Sequence, residues 1–127
     1  MGINVSGSWL GTYWQQGQPT RFEMVLAQSK YALSGRAGDD GPLGESFLLG
    51  SVSGAQIRFT KRYLLYANHQ IIYVGSLTDN QDFMSGQWSL GAYDAGSWEA
   101  HRNDNDQMLQ KFQQRQKQVS EVFALKL

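Results

Sequence analysis

Phe47-Leu48-Leu49-Gly50-Ser51-Val52, then Ser53-Gly54, then Ile57-Arg58-Phe59-Thr60-Lys61-Arg62-Tyr63, is the stretch whose reading decides the fold. Ile57, Phe59 and Tyr63 alternate with Arg58, Thr60 and Arg62, the period of two expected of a strand with one dry and one wet face. Ser53-Gly54 lies between two such runs and suits a tight hairpin. The same parity puts Lys61 on the dry face with Ile57, Phe59 and Tyr63. An unpaired ammonium there is costly, so Lys61 needs an acidic partner, a lumen water network or an anionic ligand. The alternative is a position near the strand end, with the ammonium reaching water along its own stem. Parity names Tyr13, Tyr73 and Arg102 as its possible companions.

Outward from this hairpin the pattern repeats. Residues 5–14 place Val5, Trp9 and Tyr13 on one face, and Trp14, of opposite parity, on the outside. A polar turn over 15–19 leads to 22–26, where Phe22, Met24 and Leu26 share a face. Residues 31–37 follow, then the breaker Gly38-Asp39-Asp40-Gly41-Pro42. Runs at 71–77, 83–90 and 96–102 complete the series, the last two around a loop at 91–95. The count is about eight strands at the spacing of an all-β sandwich or barrel. Short connections suit neighbouring antiparallel strands in up-and-down order. Glycines inside the strand patterns, at Gly35, Gly50, Gly75 and Gly86, let a sheet bend enough to close. The expectation is an all-β, antiparallel up-and-down β-barrel over residues 1–102, with a sandwich carrying bulges as the alternative.

After Arg102 the character changes. Asn103-Asp104-Asn105-Asp106 is rich in capping residues, and Asp104 precedes Gln107 at capping-box spacing. Residues 107–118 are good helix formers without Gly or Pro. Leu109, Phe112, Gln116, Val119 and Phe123 recur at three- and four-residue steps, a stripe that Gln116 interrupts. A C-terminal α-helix is expected within an appendage at 103–127, with 119–127 open between helix and strand. Its stripe would bury against the barrel or against a second copy, making a homo-oligomer through residues 104–125.

Composition bounds the function classes. The 127 residues suffice for one domain, and 41% hydrophobic residues can form a core. Eleven basic residues balance 11 acidic ones, so the chain lacks the field that draws proteins to nucleic acid, and no nucleic-acid partner is expected. Without cysteine there is no disulfide, thiolate nucleophile or Cys-based zinc site. No apolar run approaches the roughly 20 residues of a membrane helix. The N-terminus has neither the basic nor the apolar region of a secretory signal. Met1-Gly2-Ile3-Asn4-Val5-Ser6 does fit the loose pattern for N-myristoylation at Gly2. The expected location is cytoplasmic, without a membrane partner.

Gly-x-Trp occurs at Gly7-Ser8-Trp9, Gly86-Gln87-Trp88 and Gly96-Ser97-Trp98; the first opens the first strand, and Arg102 ends the last. In this the chain resembles the calycin group of small barrels, which includes lipocalins, fatty-acid-binding proteins and avidins. The resemblance spans residues 5–102 and implies that Trp9 packs against Arg102 where first and last strands meet. A guanidinium over indole contributes about 0.5–2 kcal/mol. The subfamily motifs do not carry over. The biotin-binding Asn of avidins is replaced by Gly11. The Arg-x-Tyr carboxylate grip of fatty-acid-binding proteins is absent, because Arg102 is followed by Asn103 and Asp104. Nitrobindin-like barrels hold haem through a His, but neither His69 nor His101 stands in an axial-ligand context, so no cofactor is expected.

No nucleophile motif, phosphate loop or metal spacing is present, and the two histidines lie 32 positions apart. No catalytic or metal-binding residue is nominated. The acidic pairs Asp39-Asp40 and Asp104 to Asp106 read as a solvated turn and a helix cap. Trp9, Trp88 and Trp98 fill the core or wall an apolar pocket. The first functional expectation is a lumen for a small, mostly apolar molecule, neutral or anionic, lined by Lys61, Tyr63, Tyr73, Trp88 and Tyr13, with Trp9, Trp98 and Arg102 structural. The second is a side-chain-filled barrel acting as an oligomeric interaction module. The third is an isomerase or lyase, for which no acid–base pair stands out.

Overall fold

The computed structural model describes residues 2–65 and 69–103. Eight antiparallel strands follow in chain order: β1 (Gly7–Gln15), β2 (Gln18–Ser29), β3 (Ala32–Asp39), β4 (Glu45–Ser53), β5 (Gln56–Tyr63), β6 (Gln70–Leu77), β7 (Phe83–Leu90) and β8 (Asp94–Arg102). Each pairs with the next, and β8 returns to β1, so the sheet closes into an up-and-down barrel without a free edge. The expected helix after Arg102, and the oligomer contact through 104–125, lie outside the described residues.

The alternation in β5 holds: Ile57, Phe59, Lys61 and Tyr63 are buried while Arg58 and Arg62 are exposed. Two turns differ from the sequence reading. The β4–β5 turn is Gly54-Ala55, because Ser53 still pairs with Gln56 and Gly54 takes the positive φ of 56°. The β1–β2 turn is only Gln16-Gly17, both at positive φ, and Pro19 already pairs with Trp14. Such a left-handed pair matches the twist of two-residue hairpins. A third difference matters more. Gly38 and Asp39, assigned to a breaker, are strand residues paired with Glu45 and Phe22, and the β3–β4 connection begins only at Asp40.

The repeated Gly-x-Trp has a packing explanation. In register, Gly86 lies opposite Trp98 and Trp88 lies opposite Gly96, so the motifs of β7 and β8 interlock reciprocally. A Cβ on Gly96 would come within 2.7 Å of the Trp88 indole nitrogen, and one on Gly86 would overlap the Val74 carbonyl. Each glycine thus provides the space that the partner indole or the adjoining strand fills, the arrangement by which aromatic side chains cover glycines in curved sheets. Trp98 also covers Gly75, and stands edge-on to Phe59 and Tyr73, 5.7 and 5.4 Å away between centroids. Phe59 and Tyr73 stack at 4.9 Å. With Met24, Leu48 and Met84, fully buried, these rings fill the middle of the barrel.

One end of the barrel is closed. Arg102 lies 4.5 Å over the Trp9 ring. It donates to the carbonyls of Gln81, Ser6 and Asn4 at 2.9–3.0 Å. Trp9 donates to Val5 O, and Gln28 ties Val5 N and Ile3 O. The segment before β1 is thereby strapped across this end, with Val5 wholly buried.

Candidate functional site

The opposite end, at the β1–β2, β3–β4, β5–β6 and β7–β8 connections, is where the chemistry gathers. Strand parity turns Tyr13 (β1), Lys61 and Tyr63 (β5), Tyr73 (β6) and Trp88 (β7) into the lumen, all at most 7% exposed. Counting by twos from Leu33 along β3 also brings Asp39 inward. Its carboxylate meets Lys61: Nζ to Oδ1 is 2.8 Å, and both side chains are almost fully buried. Oδ2 accepts from the Tyr13 hydroxyl at 3.0 Å and from the Tyr63 hydroxyl at 2.5 Å. The Asp39 amide is itself fixed by donation to Gly44 O at 3.0 Å.

Asp39 is therefore not a solvated turn residue but the acidic partner that Lys61 requires. The Lys61 ammonium is also ringed by π faces, 4.8 Å from the Tyr13 centroid, 4.9 Å from Tyr63, 5.3 Å from Phe22 and 5.5 Å from Tyr73. A buried pair of this kind stands only when its remaining polar atoms are bonded, because desolvating both ions is expensive. Here two phenols and four rings complete the shell. Tyr13 and Tyr73 are the companions parity named. Arg102 is not: it belongs to the closed end, over Trp9.

Burial sets the protonation tendencies. Desolvation lowers the Lys61 ammonium below its usual value, and the neighbouring Asp39 charge offsets part of that. Desolvation, reinforced by Asp39, pushes the phenols of Tyr13, Tyr63 and Tyr73 upward. The tyrosines accordingly serve as neutral donors, acceptors and ring walls.

Above this network is a cavity of about 220 Å³. Tyr13, Tyr63, Tyr73 and Trp88 line it with the aliphatic side chains of Leu43, Ile71 and Leu90, and the polar Gln15 and His69 complete the lining. Four of the five residues expected to contact a ligand thus converge on one space, while Lys61 lies among the same rings without lining it. Two larger hollows differ in kind. One of about 550 Å³ runs along the closed end beside Ile3 and Tyr31, and one of about 370 Å³ lies on the outer wall at Leu10 and Arg21. Neither holds a comparable convergence of inward rings around a buried charge pair. Among the described residues, no cluster of three or more His, Cys, Asp or Glu could hold a metal ion.

The sequence signal for Asp39 was present in two parts. Parity from Leu33 through Ala37 reaches it, and a lumen lysine demands an acid. The adjacent Asp40, Gly41 and Pro42 hid both, because together they have the composition of an exposed turn.

No family model matches the chain, and no curated protein matches it. Among solved structures, a redesigned β-barrel superposes with a TM-score of 0.66 at 15% identity, covering 79% of this chain and 92% of that one. At that identity the likeness concerns the fold alone.

Proposed function

We propose that this chain is a calycin-like binding protein that holds a small, mainly apolar molecule in the cavity at the open end of its barrel. The calycin reading draws support from the up-and-down closure and from Arg102 stacked on the Trp9 of the first Gly-x-Trp. The observation that carries the binding role is the convergence of Tyr13, Tyr63, Tyr73 and Trp88 on one cavity of about 220 Å³. Apolar walls with a few convergent polar groups are the usual make-up of a small-molecule site. The volume lies below the roughly 300–1,000 Å³ of sites for drug-sized ligands, which points to a molecule of one or two rings. Because the ion pair is internally matched and the phenols stay protonated, the site favours binding over proton transfer.

Native mass spectrometry of the protein purified from its own host tests this reading. A bound small molecule that disappears in Ile71→Trp, which fills the cavity with a further ring, supports it. A ligand retained by that variant, or no adduct together with no quenching of tryptophan fluorescence by a panel of aromatic compounds, overturns it.

A second reading, an oligomeric module, rests on the filled middle of the barrel and on the exposed apolar side chains of its wall, Leu49 at 67% and Phe47 at 42% on β4 and Val74 at 40% on β6. Light scattering of the full chain decides it: a monomer at micromolar concentration excludes this role.

A further inference from the structure

Five hydrogen-bond donors at and beneath the cavity are already committed within the chain. Lys61 Nζ donates to Asp39 Oδ1, and the hydroxyls of Tyr13 and Tyr63 donate to Asp39 Oδ2. Trp88 Nε1 donates to Trp14 O at 3.0 Å, and Gln15 Nε2 donates to Asp94 at 2.8 Å. One ammonium and two phenol O–H groups converging on a carboxylate form a complete anion-binding arrangement, and the chain's own Asp39 is the anion in it. What lines the cavity is different: the phenol oxygens of Tyr13 and Tyr63, whose protons go to Asp39, the Tyr73 hydroxyl, and the ring faces of Tyr73 and Trp88. A phenol donating to a carboxylate becomes a stronger acceptor, because hydrogen bonds in a chain polarise one another. The Asp39–Lys61 pair sums to zero, so it supplies no net positive charge to an incoming anion.

We infer that the cavity selects a planar aromatic molecule carrying N–H or O–H donors and excludes carboxylates, because Asp39 permanently occupies the anion's place. The inference rests on the binding role proposed above and specifies its ligand class. A carboxylate ligand would have to lose its hydration without gaining the Lys61 ammonium or the Tyr13 and Tyr63 hydroxyls as donors, or displace a carboxylate that is covalently held beside those same three donors. A neutral or cationic donor meets acceptors and π faces instead.

Benzamide, benzamidinium and benzoate form a matched series of one shape and three charges. Titrating each into ¹⁵N-labelled full-length protein, with two-dimensional NMR reporting the site through the Trp88 indole N–H, gives affinity and location together. The expected result is binding of benzamide and benzamidinium at least roughly tenfold tighter than benzoate, the scale of leaving a charged group's hydrogen bonds unmade, with shifts centred on Tyr13, Tyr63, Tyr73 and Trp88. Benzoate binding as tightly as either partner overturns the ligand class while leaving the binding role intact. No binding by any of the three, or shifts centred elsewhere, overturns this use of the cavity altogether. Asp39→Asn supplies an independent arm: it removes the internal anion, so benzoate should gain at least roughly tenfold relative to benzamide. An unchanged ratio in that variant, if it is folded by its NMR spectrum, also overturns the inference; if it does not fold, the wild-type series decides alone.

Discussion

Replacing Asp39 by Asn keeps the shape of the side chain and removes its charge, which isolates what the carboxylate does for Lys61. The Lys61 side chain is 2% exposed and its ammonium has Asp39 as its ionic partner at 2.8 Å. Without that charge it either stays ionised among aromatic rings or releases its proton. Release sets a ceiling: at pH 7 it costs about 5 kcal/mol, at about 1.36 kcal/mol for each pH unit below the unperturbed 10.5. Broken buried pairs typically lose about 3–5 kcal/mol, so the two routes agree in scale. Against a total stability of roughly 5–15 kcal/mol for a domain, the variant should be severely weakened but measurable. Its folded lysine pKa falls further below 10.5, so the unfolded chain binds the extra proton and stability rises with pH. The deficit relative to wild type therefore shrinks between pH 6.5 and 9, by up to about 1.4 kcal/mol per pH unit. Urea unfolding followed by tryptophan fluorescence at both pH values measures this. Adding Lys61→Met removes the stranded charge and should recover most of the loss. A deficit below about 1 kcal/mol at pH 7 would refute a buried pair, whereas a large deficit that does not change with pH would mean that the stranded ammonium keeps its proton.

Three further outcomes follow from the same geometry. Arg102→Lys should lower stability by about 2–3 kcal/mol in thermal unfolding, since an ammonium cannot span the Asn4, Ser6 and Gln81 carbonyls while covering Trp9; full retention by Lys contradicts the strap. Gly86→Ala should cost about 1–3 kcal/mol, because its methyl meets the Val74 carbonyl and the Gly75 Cα, and a neutral result would contradict the close approach of β7 to β6 at this position. Above pH 10 the barrel should lose stability steeply. The phenols of Tyr13, Tyr63 and Tyr73 are raised by burial above 10.0, so unfolded tyrosines ionise first, and stability present below pH 10 is lost as pH climbs. Three phenols give a slope of up to about 4 kcal/mol per pH unit, and Lys61 opposes it only up to 10.5. Urea midpoints at pH 9, 10 and 11 report this, and a flat series contradicts it.

Much of this architecture was legible in the chain because a strand's period of two is rigid. Once Ile57 and Phe59 were inside, Lys61 and Tyr63 had to be, and the same counting placed Tyr13, Tyr73 and Trp88. Closure was legible in the mid-strand glycines, although their pairing with particular indoles needed the register between β7 and β8. Turn boundaries slipped by a residue or two, since Ser53 and Pro19 carry turn composition but retain ladder partners. Asp39 was the consequential miss. Local composition argues for exposure there, whereas the charge that stabilises it comes from Lys61, 22 residues away along the chain. Long-range electrostatic pairing of this kind leaves no local pattern. It is recoverable only by asking what a buried cation must face.

The proposed binding role requires the four aromatic side chains around the Asp39–Lys61 pair to form an occupied site in the working protein. A crystal structure of material purified from its own host, never exposed to denaturant, tests it most directly. The expected result is continuous density for a flat organic molecule between Tyr13, Tyr63, Tyr73 and Trp88, with Asp39 still bridged to Lys61. Rings collapsed onto one another with no space between them, or a ligand seated in either of the other two hollows, would contradict it.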